Sequence, residues 1–270
     1  APPPSPNMLL DVDSKKITLY WQNNAESFLD PISQKADFEG YRLYGARKTN
    51  NQDLEEFTLL QEIDSKNEIG YNTGFSSVQI VNEYGEPDSI LISGSYYHYK
   101  FENLNVKDGW LNYYSITAYD QGDPEANLGS LESSLFANRI YVYPGKTASS
   151  DKIWEGDPTV YPNPYRGQAS WDGSSSRGKM IWFRNLPQKA EIRIFSLAGD
   201  LVDIIEHDQN YNGKDIINID SKKNPKMSGG EHAWDMITMY DQATASGLYL
   251  FTVEDQFSGE IKEGKFLLIK

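Results

Sequence analysis

The sequence predicts an all-β protein built as two tandem β-sandwiches, and three observations predict it. Aromatic residues make up 13% of the chain, with 18 tyrosines, 11 phenylalanines and 6 tryptophans; such side chains suit a pleated, half-buried surface. Short runs of alternating apolar and polar residues recur, divided by turns drawn from 21 glycines and 13 prolines. That is the punctuation of strands, and no heptad or sustained helical period interrupts it. Finally, 270 residues make two domains of roughly 100–200 residues each.

Taken in order, residues 1–10 open on APPPSP. They read as an extended linker or a trimmed N-terminus, since proline fixes φ and lacks the N–H that a helix or sheet needs. The first sandwich is expected over 11–146. Its strands are KKITLYW (15–21), FEGYRLYGAR (38–47), FTLLQEI (57–63), YYHYKFENL (96–104), LNYYSITAYD (111–120) and NRIYVYPG (138–145). Residues 65–94 form an elaborated loop, with VQIV (78–81) and SILI (89–92) as an extra hairpin. A linker follows at 147–157. The second sandwich, 158–270, is expected to contain KMIWFRNL (179–186), AEIRIFSL (190–197), DLVDIIEH (200–207), DIINI (215–219), EHAWDM (231–236), GLYLFTVED (247–255) and EIKEGKFLLIK (260–270).

Composition excludes several functions. The 25 Lys and Arg stand against 39 Asp and Glu, a net charge of −14, the wrong sign for a nucleic-acid partner. No apolar run reaches the ~20 residues of a membrane-spanning helix. Cysteine is absent, which removes thiol catalysis and disulfides, and three histidines leave little imidazole chemistry. Neither a G-x-S-x-G nor an H-E-x-x-H run occurs. An enzyme is the least expected class. GSSSRGK (173–179) spaces its glycines and lysine like a phosphate loop. The next residue is Met180 where a hydroxyl should bind magnesium, and a strand follows; it reads as a hairpin loop.

No cofactor is expected, with calcium the one metal worth placing. Asp120, Asp123 and Glu125 cluster after a strand, as hard oxygen ligands on one loop or as a polar turn in which Asp bonds neighbouring amides. Asp208, Asn210, Asn212 and Gly213 match the early positions of a calcium loop, but its closing acidic position is Ile219, so a polar turn is the competing reading. Trp110, Trp154 and Trp171 fall in loops or the linker and are candidates for stacking on sugars. Trp21, Trp182 and Trp234 fall in strands and read as core. His98 and His232 read as packing residues.

The first half resembles a fibronectin type III domain through Trp21, GYRLY (40–44), Leu104, YYSITAYD (113–120) and LESSLFANRIYVYPG (131–145). It departs from that pattern at Asn112, where the corner tyrosine would stand. In the second half VYPNPYRG (160–167), FRNLP (183–187), IRIFSLAGDLV (192–202), HAWD (232–235), ASGLYLFTVED (245–255) and GKFLLIK (264–270) occur in that order. This is similar to type IX secretion sorting domains and to the immunoglobulin-like domain of flagellar hook-capping proteins. The resemblances imply two tandem immunoglobulin-like β-sandwiches, a spacer followed by a secretion-sorting or surface-attachment domain. They also imply a secreted or bacterial cell-surface location. The partners implied are secretion machinery or cell-surface components and upstream domains of the same precursor, with polysaccharide or copies of the chain itself as further candidates. The sorting-motif positions are Pro162, Asn163, Pro164, Gly199, Gly247, Tyr249, Lys265 and Lys270.

Elementary chemistry gives these positions local roles. Pro162 and Pro164 make a rigid turn around Asn163, and Gly199 suits a hairpin tip. Gly247 precedes a strand whose Tyr249 shares a face with Phe251 and Val253. EGKFLLIK is expected to be an edge strand, either protected by Lys265 and Lys270 or open to pairing with a receptor strand. Two other classes compete: a carbohydrate- or calcium-binding accessory module of a secreted hydrolase, and a subunit of a surface layer or filament.

Overall fold

A computed structural model describes residues 1–31, 34–47, 57–123, 127–149, 153–167, 179–213 and 225–270. The predicted DIINI strand, most of the GSSSRGK loop, Glu125 and Trp171 lie outside these. The described residues contain seventeen strands and no helix.

The first sandwich packs the sheet β1–β2–β7 against β4–β3–β8–β9. Its strands are β1 (Met8–Asp13), β2 (Lys16–Trp21), β3 (Phe38–Arg47), β4 (Thr58–Asp64), β7 (Tyr99–Asn103), β8 (Asn112–Asp120) and β9 (Ile140–Val142). Alternation works as expected: Ile17, Leu19 and Trp21 from one sheet meet Tyr41, Leu43, Ile116 and Ala118 from the other in one buried cluster. Trp21 stacks on Tyr99 at 5.4 Å between ring centroids. At about 25 cal/mol per Å², burying such aromatics is the main drive for closing the two sheets.

Three local expectations are corrected here. β1 begins inside the stretch read as an N-terminal linker; the prolines end at Pro6 and MLLDVD then alternates. YYHYKFENL is two strands, β6 (Ser95–Tyr97) and β7, interrupted at His98. VQIV and SILI do not pair with each other: β5 (Ile90–Ile92) pairs with β6, while Gln79 bridges to Tyr99. Ser93 and Gly94, both at positive φ, make the tight β5–β6 turn, and that short closure outcompetes the longer one.

The second sandwich packs β10–β12–β15 against β11–β17–β16–β13–β14. These are β10 (Thr159–Tyr161), β11 (Tyr165–Arg166), β12 (Ile181–Arg184), β13 (Lys189–Ser196), β14 (Leu201–Asp208), β15 (Glu231–Trp234), β16 (Gly247–Asp255) and β17 (Ile261–Ile269). Apart from the added β11, it repeats the strand order of the first. Its core gathers Ile181, Phe183, Ile192, Trp234, Phe251 and Phe266. Gly264 makes this packing possible: a Cβ there would lie 2.3 Å from Phe251 Cζ.

A third buried cluster joins residues of both sandwiches, with Tyr143 against Trp182 and beside Met180, Met227 and Ala233. β12 is therefore buried on both faces, Ile181 and Phe183 inward and Trp182 toward the first sandwich. Tyr143 N–H donates to Lys226 O at 2.9 Å, and Lys226 N–H to Tyr141 O at 2.7 Å, so the 226 segment continues the first sandwich's sheet beyond β9. Residues 146–149 are laced to 186 and 230 through Gly230 N–H to Lys146 O (3.1 Å) and Ser149 N–H to Leu186 O (3.3 Å). Gly230 is required by this approach, since a Cβ would sit 2.4 Å from Lys146 O.

Candidate functional site

Most of the motif positions, Gly199 apart, converge on β17. Tyr161, the end of β10, pairs with Trp182 in the three-stranded sheet. Four residues later Tyr165 pairs in parallel with Leu268 in the other sheet. The Pro162-Asn163-Pro164 turn, with both X-Pro bonds cis, carries the chain from one sheet to the other. Between these pairings the Asn163 carboxamide acts as a surrogate peptide group. Its Oδ1 accepts Leu267 N–H and its Nδ2 donates to Lys265 O, each at 3.2 Å. On its other side β17 pairs with β16 along Gly247–Glu254. Lys262 Nζ donates to Trp154 O (2.7 Å) and Gly156 O (2.8 Å). The expected terminal edge strand is thus corrected: from Lys265 onward β17 is flanked on both sides, because the proline turn places β11 and Asn163 against it.

Of the other motif residues, Gly199 lies apart from β17 and the rest support it. Gly199 takes φ 92° at the β13–β14 tip. Gly247 opens β16. Tyr249 is buried, stacks on Phe266 at 5.5 Å and donates its hydroxyl proton to Ala245 O at 2.9 Å. Ser246 Oγ accepts Lys270 N–H at 2.9 Å. Lys265 side-chain chemistry is on the outer face, opposite Leu250.

The calcium candidates use their oxygens locally. Asp120, 3% exposed, accepts Gly122 N–H (3.0 Å) and Leu131 N–H (2.7 Å) through Oδ1. Asp123 lies 3.7 Å from Lys35 Nζ, and its backbone pairs with Leu128. Asp208 Oδ1 accepts Asn210 N–H and Nδ2–H at 2.9 and 2.8 Å, and the backbone bond holds its carboxyl below the usual range. Asn210 and Asn212 border a cleft of about 490 Å³ between the sandwiches. Among the described residues no three carboxylate or imidazole groups gather at a metal-sized site.

Of the candidate aromatics, Trp154 is corrected: it is 5% exposed. Its Nε1–H donates to Asn185 O at 2.8 Å, and Lys262 Nζ lies 4.4 Å from its ring. A tryptophan in a linker sequence found a pocket because the linker folds back on the second core. Trp110 is partly exposed, with the Arg47 guanidinium 5.7 Å and the Lys107 ammonium 5.9 Å from its ring. Asn112, at the expected corner position, donates Nδ2–H to Trp110 O at 2.7 Å.

Two polar clusters were not anticipated. At the junction Arg184 donates from Nε to Glu231 Oε1 (2.6 Å) and from Nη2 to Asp108 Oδ2 (2.5 Å). Asp108 also accepts Lys15 N–H at 2.7 Å. Glu231 is 4% exposed; burial pushes its carboxyl up, and Arg184 pulls the other way. In the second core His207 and His232 face each other, Nδ1 to Nδ1 at 3.2 Å. His207 Nε2 lies 3.1 Å from Gly229 O. That carbonyl can only accept, so the proton of His207 sits on Nε2 and the shared proton on His232 Nδ1. Burial, and then His232, push the His207 pKa down to about 3. Neither cluster has a sequence signature, since its members lie up to 123 positions apart; only the fold joins them.

No family model and no curated protein matches this chain. Solved structures similar to it include PorZ, an essential bacterial surface component of the type-IX secretion system of Porphyromonas gingivalis (11% identity, 96% of this chain, 43% of that one, TM-score 0.31). Dimeric latent PorU from the same organism is another (10% identity, 98% and 34% coverage, TM-score 0.25). A third is the BSP domain of a biofilm-associated protein (8% identity, 98% and 51% coverage, TM-score 0.26). The chain spans between about a third and a half of the length of these structures. TM-scores at this level carry no argument; the fold assignment rests on the strand order and cores described above.

Proposed function

We propose that this chain is a non-catalytic region of a secreted or cell-surface bacterial protein, a fibronectin-like spacer followed by a secretion-sorting or attachment domain. One observation carries the reading: VYPNPYRG and GKFLLIK, two of the segments that resemble sorting domains, lie about a hundred residues apart and meet at β17. A receptor reading this region would read a folded surface. The strand order β1–β2–β7 over β4–β3–β8–β9 supports the spacer assignment, being an antiparallel sandwich of seven strands.

The test uses the whole chain, because the junction buries Trp182 and Tyr143 together. A reporter carrying a signal peptide is fused ahead of residues 1–270 in a host with type IX secretion, and a second fusion carries residues 1–150 alone. The full chain should bring the reporter to the surface or medium, and the short fusion should leave it in the periplasm. Retention of the full-chain fusion, or equal export of both, overturns the reading.

A further inference from the structure

We propose that β14 is a docking edge for an extended strand of another protein bearing lysine or arginine. The proposal goes beyond export, since it rests on the geometry of this edge alone. The five-stranded sheet has two ends. At one, β11 and Asn163 flank β17 from Lys265 onward. The other is β14, which pairs on one side with β13 and, among the described residues, with no strand on the other.

The direction of its peptide groups follows from the register. Gln209 N–H donates to Gln188 O at 2.7 Å, so residues of that parity, His207, Ile205 and Asp203, turn their peptide groups to β13. Those of Ile204 and Glu206 turn outward; the Ile204 N–H is taken by Asp203 Oδ1 at 2.9 Å, which leaves, among the described residues, Ile204 O and the Glu206 peptide group open on this edge. The start of the edge is closed where Met239 N–H reaches Val202 O at 3.1 Å. Beyond it a groove of about 260 Å³ runs between β14 and β15, lined by Ile204, Glu206, Trp234 and Asp235 among others.

Charge selects the occupant. β14 carries Asp203, Glu206 and Asp208 and no basic residue. Asp208 has Lys189 Nζ at 4.0 Å. Among the described residues neither Asp203 nor Glu206 has a cation within ion-pair distance. Asp203 is half-buried; its Oδ2 accepts Trp234 Nε1–H at 2.6 Å and its Oδ1 accepts Ile204 N–H at 2.9 Å. An inward carboxylate on an edge strand blocks indiscriminate pairing. An uncharged strand laid over it would strip its water without compensation, whereas a strand bringing an ammonium or guanidinium would supply the missing partner. A second copy is disfavoured, because it would set two acidic strands side by side in a chain already at −14. On the outward face Ile204 is 41% and Leu201 37% exposed, next to Phe195 of β13. The matching strand therefore places a basic residue inward at Asp203 and an apolar one outward at Ile204.

The probe is a seven-residue peptide alternating lysine with valine, titrated into the ¹⁵N-labelled full chain. The expected result is saturable binding with shifts centred on the Ile204 and Glu206 amides. Asp203→Asn should weaken binding about tenfold, Glu206→Lys should weaken it through repulsion of the cationic peptide, and Glu206→Pro should abolish it. That proline removes an edge-facing N–H without touching the β13 ladder; Glu206→Lys, being exposed, keeps the test valid if the proline variant does not fold. The glutamate–valine peptide should not bind. Absence of saturable binding, shifts centred elsewhere, unchanged affinity in all three variants, or equal binding by a backbone N-methylated lysine–valine peptide overturns the proposal. So does light scattering showing a dimer that Glu206→Lys dissolves.

Discussion

Acidification should destabilise this protein through one imidazole, and His207→Gln should remove most of that sensitivity. His207 is buried among Ala190 opposite it, His232 and the Gly229 carbonyl, and its pKa is pushed from 6.5 down to about 3. Between those values the unfolded chain holds a proton on this residue that the folded chain does not. Stability is therefore fully present above about pH 6.5 and declines as pH falls toward 3. At pH 5 the unfolded imidazole is almost fully charged and the folded one almost fully neutral. The linkage then amounts to about 2 kcal/mol, from 1.36 kcal/mol per unit over the 1.5 units below 6.5. Buried carboxylates such as Glu231 and Asp203, whose pKa values burial raises, act in the opposite direction, so the wild-type slope alone is not diagnostic. The assay is urea unfolding followed by tryptophan fluorescence at pH 7.5, 6 and 5 for wild type and His207→Gln. The glutamine keeps a donor near Gly229 O and carries no titrating group. Wild type should lose about 2 kcal/mol more than the variant over this range. Parallel pH profiles would refute the argument, whatever the variant's baseline stability.

Other outcomes test other parts of the structure. Arg184→Ala leaves Glu231 buried without its cation and should cost about 3 kcal/mol, read as a lowered midpoint in thermal unfolding; Arg184→Met together with Glu231→Gln should recover part of it. Asn163→Ala removes both surrogate-peptide bonds to β17 and should cost about 1–2 kcal/mol, with faster hydrogen exchange at the Leu267 amide as the local signature. Trp154→Ala should cost about 3–5 kcal/mol as a core truncation and leave calorimetric titration against polysaccharides unchanged. A change in saccharide affinity without a loss of stability would instead place Trp154 at a ligand surface.

The junction bears on how the two sandwiches behave together. Hydrogen bonds from residues 141–149 to 186, 226 and 230, the Tyr143–Trp182 contact and the Arg184 ion pairs all cross it. Cutting it would expose Trp182 and strand Glu231, so the two sandwiches are expected to unfold with coupled stability.

Local pattern determined much of this protein. The runs FEGYRLYGAR and GLYLFTVED became β3 and β16 at the predicted bounds, because period-two alternation settles which side chains face a core before any partner is known. The hairpin tip at Gly199 was equally legible, since positive φ is a local demand. What the sequence left open was which segments meet. VQIV lost its expected partner to a tighter turn, and Trp154 left its linker for a core. The last strand, which ends as an edge in sequence, was flanked by β11 and by the carboxamide of Asn163. Among the described residues the sheet's unpaired edge is instead β14, whose acidic, alternating sequence looks like any other strand. His207 and His232, or Asp108, Arg184 and Glu231, show no periodicity when written out. Strand pairing and sandwich closure bring them within hydrogen-bond distance, and their electrostatics depend on burial that only tertiary packing creates.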